Sequence, residues 1–88
     1  MKVLKFGAVW CPECLVMRPI WEEIEKEMPE LKNEYFDADD NPEKLKEYGV
    51  KDIPVFIFLD KDGREILRLA GMQNKGELMQ TVRNYGDR

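Results

Sequence analysis

Trp10-Cys11-Pro12-Glu13-Cys14 is the stretch on which the reading of this 88-residue chain turns. It holds both cysteines, two residues apart. An apolar run, Val3 to Phe6, precedes it and an amphipathic run follows it, so a strand is predicted to hand over to a helix here. A thiol at that junction meets unpaired backbone N–H groups and the positive end of the helix macrodipole. Both favour thiolate, the form of sulfur that attacks disulfides. A second thiol one turn on can close a ring with the first. The pattern points to a thiol–disulfide redox site.

Three other uses of the pair compete. A structural disulfide closing so small a ring removes little entropy from the unfolded chain and is a poor staple. A closed zinc site needs four ligands, and the chain offers two cysteines and no histidine. A fully buried, inert pair is at odds with Pro12 and Glu13 lying between the sulfurs. The redox reading requires a strand–helix–strand setting, which the rest of the chain must supply.

The length suits one domain spanning residues 1–88, near the lower end of autonomous folding. A hydrophobic share of 43% is enough for one core, and a charged share of 36% suits a solvated surface. The longest apolar run, Val55 to Leu59, is too short to span a bilayer, so no membrane partner is expected. Strand-like sequence begins at once, so neither a signal nor a transit peptide is expected. Net charge is −4 with the signs interspersed, and without a basic stripe no nucleic acid partner is expected. Two close cysteines do not make a disulfide-stapled secreted module, and a cytoplasmic setting is expected.

Outward from the motif, Lys2 to Phe6 reads as a first strand, Val3 and Lys5 pointing one way, Leu4 and Phe6 the other. Pro12 suits the first turn of the following helix. Val16, Ile20, Ile24 and Met28 at spacing four, with Met17 and Trp21 beside them, predict its buried face. Pro19 should kink this helix and Pro29 should end it. Asn33 to Asp37 is a weaker strand. Asp39-Asp40-Asn41-Pro42 predicts a capped turn into a short helix, Pro42 to Tyr48, stopped by Gly49; the spacing of a calcium loop is absent. Val55 to Leu59 predicts a central strand covered on both faces, with Pro54 at its start. Asp60 to Gly63 is a hairpin turn. Arg64 to Leu69 follows, with Ile66, Arg64 and Arg68 on one face and Leu67 and Leu69 on the other. Asn74-Lys75-Gly76-Glu77 resembles a capping box opening a last helix to about Tyr85, with Leu78, Met79, Val82 and Tyr85 inward. Gly86-Asp87-Arg88 is a tail expected to fray.

In this order the chain resembles the thioredoxin family. The Trp-Cys-x-x-Cys of Trp10 to Cys14, Pro19, the Asp-x-Asn-Pro of Asp39 to Pro42, Ile53-Pro54, Gly63 and Gly71 recur in register. The resemblance implies a minimal thioredoxin-like α/β fold. A four-stranded mixed sheet in the order 2-1-3-4 would carry three helices, without the family's N-terminal strand and helix. It implies that Cys11 is the attacking and Cys14 the resolving thiol, that Pro54 is cis, and that the working disulfide Cys11–Cys14 needs no cofactor. Trp10, Pro12, Ile53, Pro54 and Gly71 would form an apolar groove for the substrate; ordinary core packing is the other reading of Trp10. The implied partners are disulfide-containing proteins and a thioredoxin-reductase-like or glutathione reductant, with the chain working as a monomer.

Two departures from the family bear on tuning. Pro12-Glu13 stands where thioredoxin has Gly-Pro. Glu13 puts a carboxylate in the first helical turn, where it should raise the Cys11 pKa. Lys5 stands where thioredoxin has a buried aspartate. Lys5 either stabilises a Cys14 thiolate from beneath the helix or reaches the edge and pairs with a glutamate, and the pairing is the expected outcome. The function expected is disulfide reduction. The alternatives are a glutathione-dependent, glutaredoxin-like oxidoreductase, and a binding module that holds a partner without catalysis.

Overall fold

The structure, a computed structural model, describes residues 1–86. Its elements follow as β1 (Lys2–Gly7), α1 (Pro12–Glu27), β2 (Lys32–Asp37), α2 (Pro42–Tyr48), β3 (Val55–Leu59), β4 (Glu65–Ala70) and α3 (Lys75–Tyr85). The strands form a sheet in the order β2-β1-β3-β4. β1 runs parallel to β2 and antiparallel to β3, and β3 runs antiparallel to β4. This is the minimal thioredoxin-like arrangement expected from the sequence. No helix among the described residues is long and apolar enough to cross a membrane.

β3 is buried at every position because both sheet faces are covered. On one face Val3, Phe56 and Phe58 pack against Met17, Trp21 and Ile24 of α1 and Leu78, Met79 and Val82 of α3. On the other, Leu4, Phe6, Phe36, Ile57 and Leu59 pack beneath Leu45 and Tyr48 of α2. The alternation in β1 sends Val3 and Lys5 towards α1, and Leu4 and Phe6 towards α2.

Some local expectations are corrected. The buried stripe of α1 is Cys14, Met17, Trp21 and Ile24, while Val16 is half exposed. A period of 3.6, rather than a strict four, rotates Val16 out of the core. In β4 the register pairs Leu59 with Glu65 but Phe58 with Leu67, leaving Ile66 as an extra residue. That bulge turns Ile66 onto the α1–α3 face, beside Leu67 and Leu69, instead of the opposite face. Asn41 occupies the N-cap of α2 without capping it; its amide donates to the Asp37 carbonyl instead. Helix α1 continues through Pro19 and stops at Glu27, with Met28 as C-cap before Pro29. The expectation of a frayed tail falls, for Asp87 and Arg88, outside the described residues.

Candidate active site

Cys11 is the residue at which β1 and its connecting loop give way to α1. It stands at the N-cap with extended backbone, φ −91° and ψ 113°, and Pro12 fills the first helical position. An N-cap side chain ordinarily offers oxygen to the backbone N–H three residues on. Here the cap is sulfur: Cys11 Sγ accepts from the Cys14 N–H at 3.2 Å. A thiolate takes that bond better than a thiol, since the orphan N–H groups of the first turn favour negative charge.

The second wall comes from a distant segment. The Ile53–Pro54 peptide is cis, as the resemblance implied. The Ile53 carbonyl lies 4.0 Å from Cys11 Sγ, and its side chain packs on the cluster of Ala8, Cys11 and Cys14. Gly71, at φ 81°, donates its N–H to the Pro54 carbonyl at 2.8 Å, fixing this loop to the end of β4. The positive φ explains the glycine, since L side chains rarely adopt it.

Both cysteines are free, and both are largely covered: Cys11 is 6% exposed and Cys14 9%. This corrects the sequence argument that Pro12 and Glu13 would keep the pair from burial. Those two residues are exposed, yet the cysteines pack with Ala8 and are covered by Ala38 and Ile53. Trp10, the residue before Cys11, is 63% exposed, and its indole N–H donates to Asp39 Oδ2 at 2.9 Å. The core-packing reading of Trp10 is thereby excluded. Pro54 is fully buried and supports the loop from within, whereas Ile53 and Gly71 are half buried.

Cys14 is held as a thiol. Its pKa is pushed up from 9.0 to about 11, first by burial, then by its hydrogen bond to Cys11, with the charges of Cys11 and Glu13 adding to the rise. The Ala8 backbone alone pulls the other way. The Glu13 charge therefore registers at Cys14, where it is the least of the upward pushes. Lys5 is engaged with a different partner. Its Nζ is 2.7 Å from Glu25 Oε2 and sits 5.6 Å from the Trp21 ring centroid. Of the two readings of Lys5, the pairing with a glutamate is the one observed.

Three further residues around the pair lie outside the expected site set. Asp39, taken for part of a turn, orients Trp10. Tyr35 lies opposite Lys5 in the β1–β2 register and brings its hydroxyl near Cys14. Arg18 sits close enough to that hydroxyl for its charge to lower the Tyr35 pKa against the effect of burial. The register alone could have flagged Tyr35, because parallel pairing of β1 with β2 puts residues 5 and 35 side by side.

The thioredoxin family model matches residues 1–84. The chain is 32% identical to a thioredoxin of Chlamydia caviae over 83 residues, covering 94% of this chain and 80% of that protein. It is 37% identical to a Listeria monocytogenes thioredoxin over 81 residues, covering 91% of this chain and 78% of that one. Among solved structures, Fasciola hepatica thioredoxin superposes with a TM-score of 0.86 at 36% identity, covering 96% of this chain and 79% of that one. Thioredoxin 1 of Thermosipho africanus gives 0.85 at 30% identity, covering 99% and 96%.

Proposed function

The chain belongs to the thioredoxin family and is a thiol–disulfide oxidoreductase, and from that premise we propose that Cys11 is its attacking thiol and Cys14 its resolving one. The observation that carries the assignment is the sulfur at the helix cap: Cys11 Sγ takes the Cys14 N–H while lying next to the Ile53 carbonyl. Cys14, raised to about 11, is the proton-bearing partner.

The reaction runs in two displacements. Cys11 thiolate attacks one sulfur of a substrate disulfide, forming a mixed disulfide and expelling the other sulfur as thiolate. Cys14, once deprotonated, attacks Cys11 Sγ. The mixed disulfide breaks, the second substrate thiolate leaves, and Cys11–Cys14 closes. Two electrons pass to the substrate, and an external thiol or a reductase must return the dithiol.

In this reading Trp10, Pro12, Ile53 and Gly71 present the surface that meets the substrate, and buried Pro54 shapes it from below. The Ile53 backbone pairs with an extended substrate segment. Glu13 modulates the pair through its charge on Cys14. Residues 1–88 act as one domain and as a monomer, and the matched span of 1–84 supports a single unit. A reducing, cytoplasmic setting suits a chain whose two cysteines make up the working pair, passing electrons in redox homeostasis.

Insulin reduction with dithiothreitol as electron source tests the assignment. The parent chain accelerates it. Cys11→Ser removes the acceleration, and Cys14→Ser leaves a stable mixed disulfide on Cys11. A Cys11→Ser variant as active as the parent would overturn the assignment. A strict requirement for glutathione in place of dithiothreitol would move the chain to glutathione-dependent exchange.

A further inference from the structure

The surroundings of Cys11 are built from three segments: the start of α1, the Ile53–Pro54 loop, and the turn of residues 71–73 that follows β4. The first two meet where Cys11 Sγ lies 4.0 Å from the Ile53 carbonyl. The second and third meet where the Gly71 N–H donates to the Pro54 carbonyl at 2.8 Å. The third is fastened back to the first by a sulfur. The Gln73 backbone N–H donates to Met17 Sδ at 3.4 Å. Met17 belongs to α1, one turn beyond Cys14, and is 1% exposed. The three joints close a ring, and Met17 is its last link.

The Gln73 N–H stands between two regular elements. β4 has ended at Ala70 and α3 does not begin until Lys75, so neither the sheet ladder nor the helix supplies its acceptor. A part-buried N–H needs one. A thioether sulfur is a weak acceptor, yet it is polarizable and sits in a core as readily as a hydrocarbon. Leucine would fill nearly the same space among Trp21, Phe56 and Leu78, but it would offer the N–H nothing. The Gln73 side-chain amide donates to the Ala70 carbonyl at 3.0 Å, so this residue is held by backbone and side chain together. Between the two anchors, Met72 is left 51% exposed.

We propose that Met17 is a positioning residue for substrate binding, its thioether holding the 71–73 turn against the helix that carries Cys11. This rests on the oxidoreductase reading above. Met17 touches no reacting atom and moves no proton. It supplies order that is present before the substrate arrives. A turn already fastened in the free protein need not be ordered on binding, and that cost is removed from the binding step. The effect falls on a polypeptide whose extended segment lies along Ile53 and Gly71. It does not fall on the exchange between sulfurs.

Met17→Leu keeps size and apolarity and removes the acceptor, a swap that cores tolerate. Amide hydrogen exchange, read by NMR, should be about tenfold faster or more at Gln73 in this variant, with the β3 amides unchanged. In insulin reduction, KM should rise roughly threefold to tenfold, the equilibrium worth of one hydrogen bond, with kcat within about twofold of the parent. Met79→Leu makes the same swap in the same core cluster and should leave both readings at parent values. Unchanged exchange at Gln73 in Met17→Leu would overturn the tether. An unchanged KM, a fall in kcat in its place, or the same changes in Met79→Leu would overturn the positioning role. A parent chain that does not reduce insulin would remove the oxidoreductase reading and the substrate role with it. Exchange at Gln73 needs no substrate, and so tells that failure apart from loss of the tether.

Discussion

Burial and the Cys11 sulfur raise the Cys14 thiol from 9.0 to about 11, and this has a consequence for the folded state itself. Above pH 9 the unfolded chain gives up this proton, whereas the folded chain keeps it. The unfolded state then binds fewer protons, so stability falls as pH rises from 9 towards 11 and is unaffected by this group below 9. Cys14→Ser removes the titrating group. Urea midpoints measured from pH 8 to 11 should decline more steeply for the parent than for the variant. Equal slopes would mean that the thiol is not held protonated. The neighbouring Tyr35 hydroxyl, raised first by burial, contributes a decline in the same direction to both proteins.

The turns and helix ends were the readily legible parts of the fold. Asn74 caps α3, its Oδ1 accepting from the Glu77 N–H at 3.2 Å, as the local sequence predicted. Asn74→Ala should cost about 1 kcal/mol of stability, read from denaturant unfolding, and no measurable loss would mean the cap is ornamental. Gly49, at φ 66°, ends α2 where expected. Features that depend on neighbours were not legible. Asn41 looked like an equally good cap, yet Asp37 takes its amide, because the β2 end lies within reach. Ile66 looked like an alternating strand residue until the bulge opposite Phe58 and Leu59 turned it over. Likewise the motif announced a thiol at a helix start, but not that Ala38 and Ile53 would cover it. Local chemistry sets caps and turns; cover and register are set by segments far away in sequence.

At the scale of the molecule, the site exists because the sheet order 2-1-3-4 brings the loop before β3 alongside the start of α1. Residues 11 and 53, far apart in the chain, meet there, and Gly71 locks the loop from a third segment. The same packing seats Met17 of α1 beside the turn that follows β4. In the unfolded chain the two thiols are near neighbours in similar surroundings, and nothing distinguishes them strongly. The central claim is that folding makes one sulfur the nucleophile and the other its proton-bearing partner. Limited alkylation of the reduced protein with iodoacetamide at neutral pH, mapped by peptide mass spectrometry, tests this most directly when run both folded and in urea. The account predicts that Cys11 is modified well before Cys14 in the folded protein, and that the two react at similar rates once unfolded. Alkylation of Cys14 as fast as Cys11 in the folded protein would contradict it.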